Sequence, residues 1–211
     1  MTDESRHLVG ISAGLGQPSS TRLLTERLLA STEEALARRG LAASTEVIEL
    51  RELAQDLVNH LLTGVPSETL RAVIDRTVSA DGLVAVTPVF NASYSGLFKV
   101  FWDVLDRDRL ASMPVAAGAT GGTARHSLVL EHAVRPLFAY LGADVVPTAV
   151  FAAAEDWGRP DRPADAELPA RIGRAGDQLA HAIATREARI ATDPFANPVP
   201  FEELLRGRDP R

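Results

Sequence analysis

The 211-residue chain reads as an α/β protein built on a doubly wound parallel sheet. Two observations predict this. Short apolar runs alternate strictly with longer segments of helical period, which is the order that places crossover helices on both faces of a parallel sheet. The run Gly82-Leu83-Val84-Ala85-Val86-Thr87-Pro88 is almost continuously apolar, as a central strand covered on both faces must be.

Residues 8–12 form the first predicted strand, followed by a Gly/Pro/Ser loop and a helix over 21–39 that Gly40 ends. The alternation at 45–50 predicts a second strand, and 52–62 a short helix that Gly64 and Pro66 break. Pro66-Ser67-Glu68 opens a helix that runs to 79. After the central strand come a helix over 96–106, a strand over 114–119, a helix over 124–141 and a strand over 144–151, for five strands in all. Residues 155–169, rich in Pro, Asp and Ala, read as a surface loop before a long last helix over 168–189. Residues 1–190 are therefore expected to form a single domain. Residues 191–211 form a proline-rich extension whose Phe195 and Phe201 are expected to dock on their own or a neighbouring subunit.

Composition narrows the chemistry. Apolar residues make up 45% of the chain and charged residues 24%, the balance of an ordinary globular protein. Cysteine is absent, which excludes disulfides, thiolate nucleophiles and cysteine-ligated metal centres, so redox chemistry would need a borrowed cofactor. The five histidines, His7, His60, His126, His132 and His181, are dispersed without metal-ligand spacing, and no metal is expected. The formal charge of −6, with basic residues scattered among acids, argues against a nucleic-acid partner. No apolar run approaches the ~20 residues of a membrane span, and residues 1–7 lack the basic and apolar regions of a secretory signal. A cytoplasmic location without membrane contact is the expectation.

In an open parallel sheet, ligands sit beyond the carboxyl ends of the strands where strand order reverses. The first such loop, Ser12-Ala13-Gly14-Leu15-Gly16-Gln17-Pro18-Ser19-Ser20-Thr21, offers small residues and hydroxyls at the start of a helix, which suits a phosphate; capping of the helix explains the hydroxyls equally well. It lacks the Gly-Lys-[Ser/Thr] ending of a triphosphate-binding loop and the G-x-G-x-x-G of a dinucleotide fold. After the third strand, Thr87-Pro88-Val89-Phe90-Asn91-Ala92-Ser93-Tyr94-Ser95 offers a bed for a flat heterocycle, or a loop packed on its own aromatics with Ser93 or Ser95 as a cap. After the fourth, Thr120-Gly121-Gly122-Thr123 lets backbone amides approach a ligand edge, or is a plain turn capped by Thr123; His126 reads as a neutral rim residue. The three loops converge on one sheet edge, which implies one ligand.

The segments Thr87-Pro88-Val89-Phe90-Asn91-Ala92-Ser93-Tyr94-Ser95-Gly96-Leu97-Phe98-Lys99 and Ala119-Thr120-Gly121-Gly122-Thr123-Ala124-Arg125-His126 resemble motifs of the NADPH-dependent FMN reductase family of flavodoxin-like proteins, and the resemblance runs from about residue 8 to 151. It implies a five-stranded sheet of order 2-1-3-4-5, FMN and NADPH or NADH as cofactors, and a homodimer or homotetramer. Carried over by position, Ser12, Ser19, Ser20 and Thr21 would hold the phosphate, Pro88, Val89, Phe90 and Asn91 would line the flavin, and Thr120, Gly121 and Gly122 would meet its ring edge. Tyr94 and Ser95 complete the implied set, with Tyr94 in a bulged helix start at a subunit interface. The stretch Ala133-Val134-Arg135-Pro136-Leu137-Phe138-Ala139-Tyr140-Leu141-Gly142-Ala143 is similar to the branch that supplies reduced FMN to separate flavin-dependent monooxygenases, sulfonate and luciferase-like ones among them. No catalytic acid or base is implied, because hydride passes between the two cofactors. The alternatives are a quinone or azo reductase that retains its flavin, and a non-enzymatic flavodoxin-like electron carrier.

Overall fold

The computed structural model describes residues 5–158 and 167–186. The chain runs β1 (Arg6–Ser12), α1 (Ser20–Ala37), β2 (Ala43–Glu49), α2 (Ala54–Thr63), α3 (Glu68–Ser79), β3 (Gly82–Phe90), β4 (Ser93–Tyr94), α4 (Gly96–Asp103), β5 (Pro114–Gly121), α5 (Arg135–Tyr140), β6 (Asp144–Val145), β7 (Val150–Ala153) and α6 (Glu167–Ala184). The sheet order is β2-β1-β3-β5-β6, with β7 paired to the far end of β5 and β4 folded back on β3. All pairings are parallel except β3–β4.

The pleat sends alternate residues to opposite faces, and the two cores follow from that. Val9, Ile11, Leu83, Ala85, Val115 and Ala117 face Leu57, Leu70, Phe98, Trp102 and Phe138 of α2 to α5. Leu8, Val84, Val86, Ala116 and Val150 face Leu24, Leu28 and Leu36 of α1 and Ile172, Leu179 and Ile183 of α6. β3 is buried from Gly82 to Pro88, as its apolar run requires.

α1 and α6 lie against each other at Gly176, where a Cβ would stand 2.4 Å from Ser31 Oγ and 2.9 Å from its carbonyl carbon. Alanine favours a helix over glycine by roughly 1 kcal/mol, yet the backbone contact leaves no room for it. Gly176→Ala is therefore expected to destabilise the protein by about 1–3 kcal/mol, the cost of overpacking, as urea unfolding would measure. A gain in stability would show that the two helices can separate freely.

The sheet has seven strands where the periodicity predicts five. The predicted strand over 144–151 is interrupted at Pro147, which has no N–H to give a ladder. The gap is closed by side chains: Arg135 donates to the carbonyls of Val146 (3.2 Å) and Pro147 (3.1 Å), and Gln178 accepts from the N–H of Thr148 (2.8 Å). The same Arg135 bonds Glu131 at 2.9 Å, which holds that carboxyl below its ordinary value. The additional β4 comes from a hairpin, with Val89 opposite Tyr94 and Phe90 opposite Ser93. Its two central residues, Asn91 (φ 49°) and Ala92 (φ 68°), both have positive φ, the requirement of a type I′ turn. Alanine is strained there, so Ala92→Gly is expected to raise stability by about 0.5–1 kcal/mol; a lower thermal midpoint would contradict this.

The predicted helix over 124–141 is three pieces: a 3₁₀ turn at Ala124–His126, a π-helical turn at Leu130–Val134, and α5. Pro136 cannot donate to the carbonyl four residues back, and the register slips so that the Arg135 N–H bonds Leu130 O. The bulge is thus here, not at Tyr94: α4 starts as a regular helix capped by Ser95. The helix predicted over 96–106 ends at Asp103, with a 3₁₀ turn at Arg107–Leu110. Part of the predicted 155–169 loop is a 3₁₀ turn, Ala154–Trp157, and Glu167 already belongs to α6; residues 159–166, the end of the last predicted helix beyond 186 and the 191–211 extension lie outside the described residues.

Candidate functional site

A cavity of about 420 Å³ opens at the carboxyl ends of β1, β3, β5 and β7. It is lined by Gly14, Leu15, Gly16 and Pro18 to Thr21 of the first loop, by Pro88 to Phe90 of β3, by Thr120 to Gly122, and by Ala154 and Trp157. Its size is within the range of small-molecule and cofactor sites. Three of its four walls are the three loops that the sequence brings to this edge.

The first wall is shaped by glycine. A Cβ on Gly14 would lie 2.1 Å from Ser19 Oγ and 3.0 Å from Thr21 Cβ, so the loop can fold over the start of α1 only without a side chain there. Ser19 is the helix N-cap, its Oγ accepting from the N–H of Arg22 at 3.2 Å. The amides of the first helical turn have no intrahelical acceptor, and with the helix dipole they make the cavity's end favourable to an anion. Thr21 and Thr120 share a buried hydrogen bond of 2.8 Å between their hydroxyls, which ties the first loop to the end of β5.

Behind this wall the loop is held by charge. Glu49, whose side chain is 5% exposed, pairs with Arg22 and accepts from Arg51 at 3.0 Å. Arg51 in turn donates to the carbonyl of Gly16 (3.3 Å), and the Gln17 carboxamide, with its oxygen toward Arg51, accepts at 2.8 and 2.6 Å. Hydrogen bonds from Arg22 to Glu26, and then to Glu49, raise the Arg22 guanidinium above its ordinary value. The Gln17–Pro18 bond within the loop is cis.

The opposite wall is apolar: Pro88 and Val89 at the end of β3, and Phe90, which is 46% exposed. The hydroxyl of Thr87 beneath them accepts from the N–H of Ser95 at 3.0 Å, which fixes the hairpin against α4. Between the two walls, a Cβ on Gly122 would meet nothing within 4 Å, so the floor is open backbone.

Of the residues singled out from sequence, the structure brings Ser19, Ser20, Thr21, Pro88, Val89, Phe90, Thr120, Gly121 and Gly122 together around this cavity. Four are placed elsewhere. Ser12 is fully buried at the end of β1, its Oγ without a partner among the described residues. Asn91 projects into solvent at the hairpin turn. Tyr94 packs against Phe98 with ring centroids 6.0 Å apart and the planes tilted by 40°, and Ser95 caps α4 by accepting from the Phe98 N–H at 3.2 Å. Thr123 also serves as a cap, for the turn at Ala124–His126. Sequence reasoning missed Trp157, because it follows a strand that the alternation extends only to residue 151; the Gly158 beside it was the available turn signal. Among the described residues, no group of three or more His, Asp or Glu side chains is placed to hold a metal, and no helix is long and apolar enough to cross a membrane.

The donor set fits FMN: hydroxyls and free amides at one end for a phosphate, an apolar strand end for a ring, and open glycine backbone between them. Comparison with known proteins agrees. The model of the NADPH-dependent FMN reductase family matches residues 7–158. An FMN reductase (NADPH) of Pseudomonas aeruginosa is 38% identical over 173 residues, covering 82% of this chain and 90% of that protein. The NADH-dependent FMN reductase SfnE of Pseudomonas putida is 37% identical over 172 residues, covering 82% and 89%. The crystal structure of an oxidoreductase from Corynebacterium diphtheriae superposes with a TM-score of 0.82 at 48% identity, covering 87% of this chain and 99% of that one. With a motif-bearing cavity at the expected sheet edge and a family match across nearly all of the sheet, the chain belongs to the NADPH-dependent FMN reductase family.

Proposed function

We propose that the cavity holds FMN with its phosphate against Ser19, Ser20 and Thr21 and its ring on Pro88, Val89 and Phe90, and that reduced flavin leaves to serve a separate flavin-dependent monooxygenase. The observation that carries this reading is the chemical polarity of the cavity, with hydroxyls and a helix N-terminus at one end and an exposed apolar strand end at the other. Bound FMN supplies the hydride-accepting centre. The protein's own contribution is positional: Thr21 and Thr120 lock two loops together, the Glu49–Arg51 pair fixes the first loop, and Phe90 offers an apolar face at the mouth for a second ring. No side chain is assigned as acid or base.

Steady-state oxidation of NADPH and NADH by the purified protein, with FMN varied, tests the reading. FMN is expected to behave as a saturable second substrate. Absence of oxidation with any flavin would overturn the reductase assignment, and a retained flavin that passes electrons to quinones would replace the monooxygenase-supplying role with that of a quinone reductase.

A further inference from the structure

The outer strand of the sheet is broken into β6 and β7, and beside β6 lies a second cavity, of about 450 Å³, that shares no residue with the first. Val145, Val146 and Pro147 form one wall, and Gln178, His181 and Ala182 of α6 form the other, so its surface is mostly apolar. The two acids that also line it are already engaged: Asp144 pairs with Arg186, and Asp177 with Arg38 at 2.9 Å. An uncharged, apolar occupant suits such a groove. Asp144 and Val146 give their N–H groups to the carbonyls of Met113 and Val115 at 2.8 and 2.9 Å. Val145 between them therefore turns its N–H to the outer side, where no further strand lies among the described residues.

The described residues end beside this groove, where Arg186, the last of them, holds Asp144 of its lining. Phe195 follows nine residues later, which is about 30 Å of extended chain at ~3.3 Å per residue. The path back along α6 from Arg186 to Asp177 is only about 14 Å at ~1.5 Å per residue. The chain is thus long enough to turn and return, and Asp193-Pro194 is a turn-forming pair directly before Phe195. The stretch Pro194-Phe195-Ala196-Asn197-Pro198-Val199-Pro200-Phe201 carries no charge, as the groove requires. Its prolines restrict the free chain, which lowers the entropy cost of ordering it on a surface. We propose that residues 194–201 dock on their own subunit in the groove between β6 and α6, with the Phe195 ring in the cavity and a carbonyl of the segment accepting the Val145 N–H. The proposal is independent of the flavin site.

Because the chain has no cysteine, a reactive pair can be introduced without competition. His181→Cys with Ala196→Cys places one thiol on the exposed part of the groove wall and the other beside Phe195. Leu62→Cys with Ala196→Cys is the control, since Leu62 is 79% exposed on α2, across the sheet from α6. In a glutathione buffer the first pair is expected to close at least about tenfold faster than the control and at a rate independent of protein concentration, because docking raises the effective concentration of one thiol at the other. Adding Phe195→Asp is expected to slow it to the control rate. Equal rates for the two pairs would overturn the proposal. So would faster cross-linking between chains that carry one cysteine each, which would assign the groove to a neighbouring subunit's segment. Hydrogen exchange on the full chain gives a readout free of the cysteines: Phe195→Asp is expected to speed exchange of the Val145 amide about tenfold and to leave the Val146 amide unchanged. A Val145 amide indifferent to that substitution would contradict the docked segment.

Discussion

Alanine at both Ser19 and Thr21 is expected to weaken FMN binding by at least about 100-fold, since each hydroxyl facing a charged acceptor contributes roughly 1.5–3 kcal/mol. The two residues act differently. Ser19 lines the cavity and also caps α1 through the Arg22 N–H, so its loss costs some helix stability as well, about 1 kcal/mol. Thr21 reaches across to Thr120, and its removal leaves the Thr120 hydroxyl buried without its 2.8 Å partner. Flavin fluorescence titration reads the affinity, and circular dichroism shows that the fold persists. Unchanged affinity would remove the phosphate from this loop.

Phe138→Ala is expected to cost about 3–5 kcal/mol of stability, the range for truncating a fully buried aromatic. Phe138 is 0% exposed, and its ring lies 4.9 Å from that of Trp102 and 6.3 Å from that of Phe98 in edge-on contacts. These three rings join α4 and α5 beneath β3 and β5, the strands whose ends form the floor and one wall of the cavity. Such a loss is a large part of the 5–15 kcal/mol that holds a typical domain folded. Chemical denaturation would measure it, and a shift under 1 kcal/mol would mean that the cluster repacks around the gap.

The parts of this fold that could be read from sequence are those set by local pattern. The apolar run at Gly82 to Pro88 marks the central strand because no other environment tolerates it, and Gly40 marks the end of α1 with φ at 76°. The breaks were harder to see. Pro147 and Pro136 each remove one hydrogen bond, but how the chain responds depends on distant partners: Gln178 and Arg135 bridge the gap between β6 and β7, and a register shift absorbs the other. The Asn91-Ala92 turn hides because alanine is an unusual residue at positive φ.

The site divides along the same line. Serines and glycines at the ends of β1 and β5 mark the loops that line the cavity, although capping of α1 by Ser19 and the close packing of Gly14 and Gly121 account for some of them on their own. Ser12, Tyr94 and Ser95 belong to the same motifs but serve the core and a helix cap, a distinction that needs side-chain directions. Glu49 and Arg51 lie 35 residues or so from the loop they hold and carry no motif; only the hydrogen bond from Arg51 to Gly16 reveals them.

A crystal structure of the protein with FMN tests the placement of the flavin most directly. The phosphate is expected at the start of α1, within hydrogen-bonding distance of the Ser19 and Thr21 hydroxyls, and the flavin ring against Pro88 to Phe90. A phosphate bound away from the loop between Gly14 and Thr21 would contradict it.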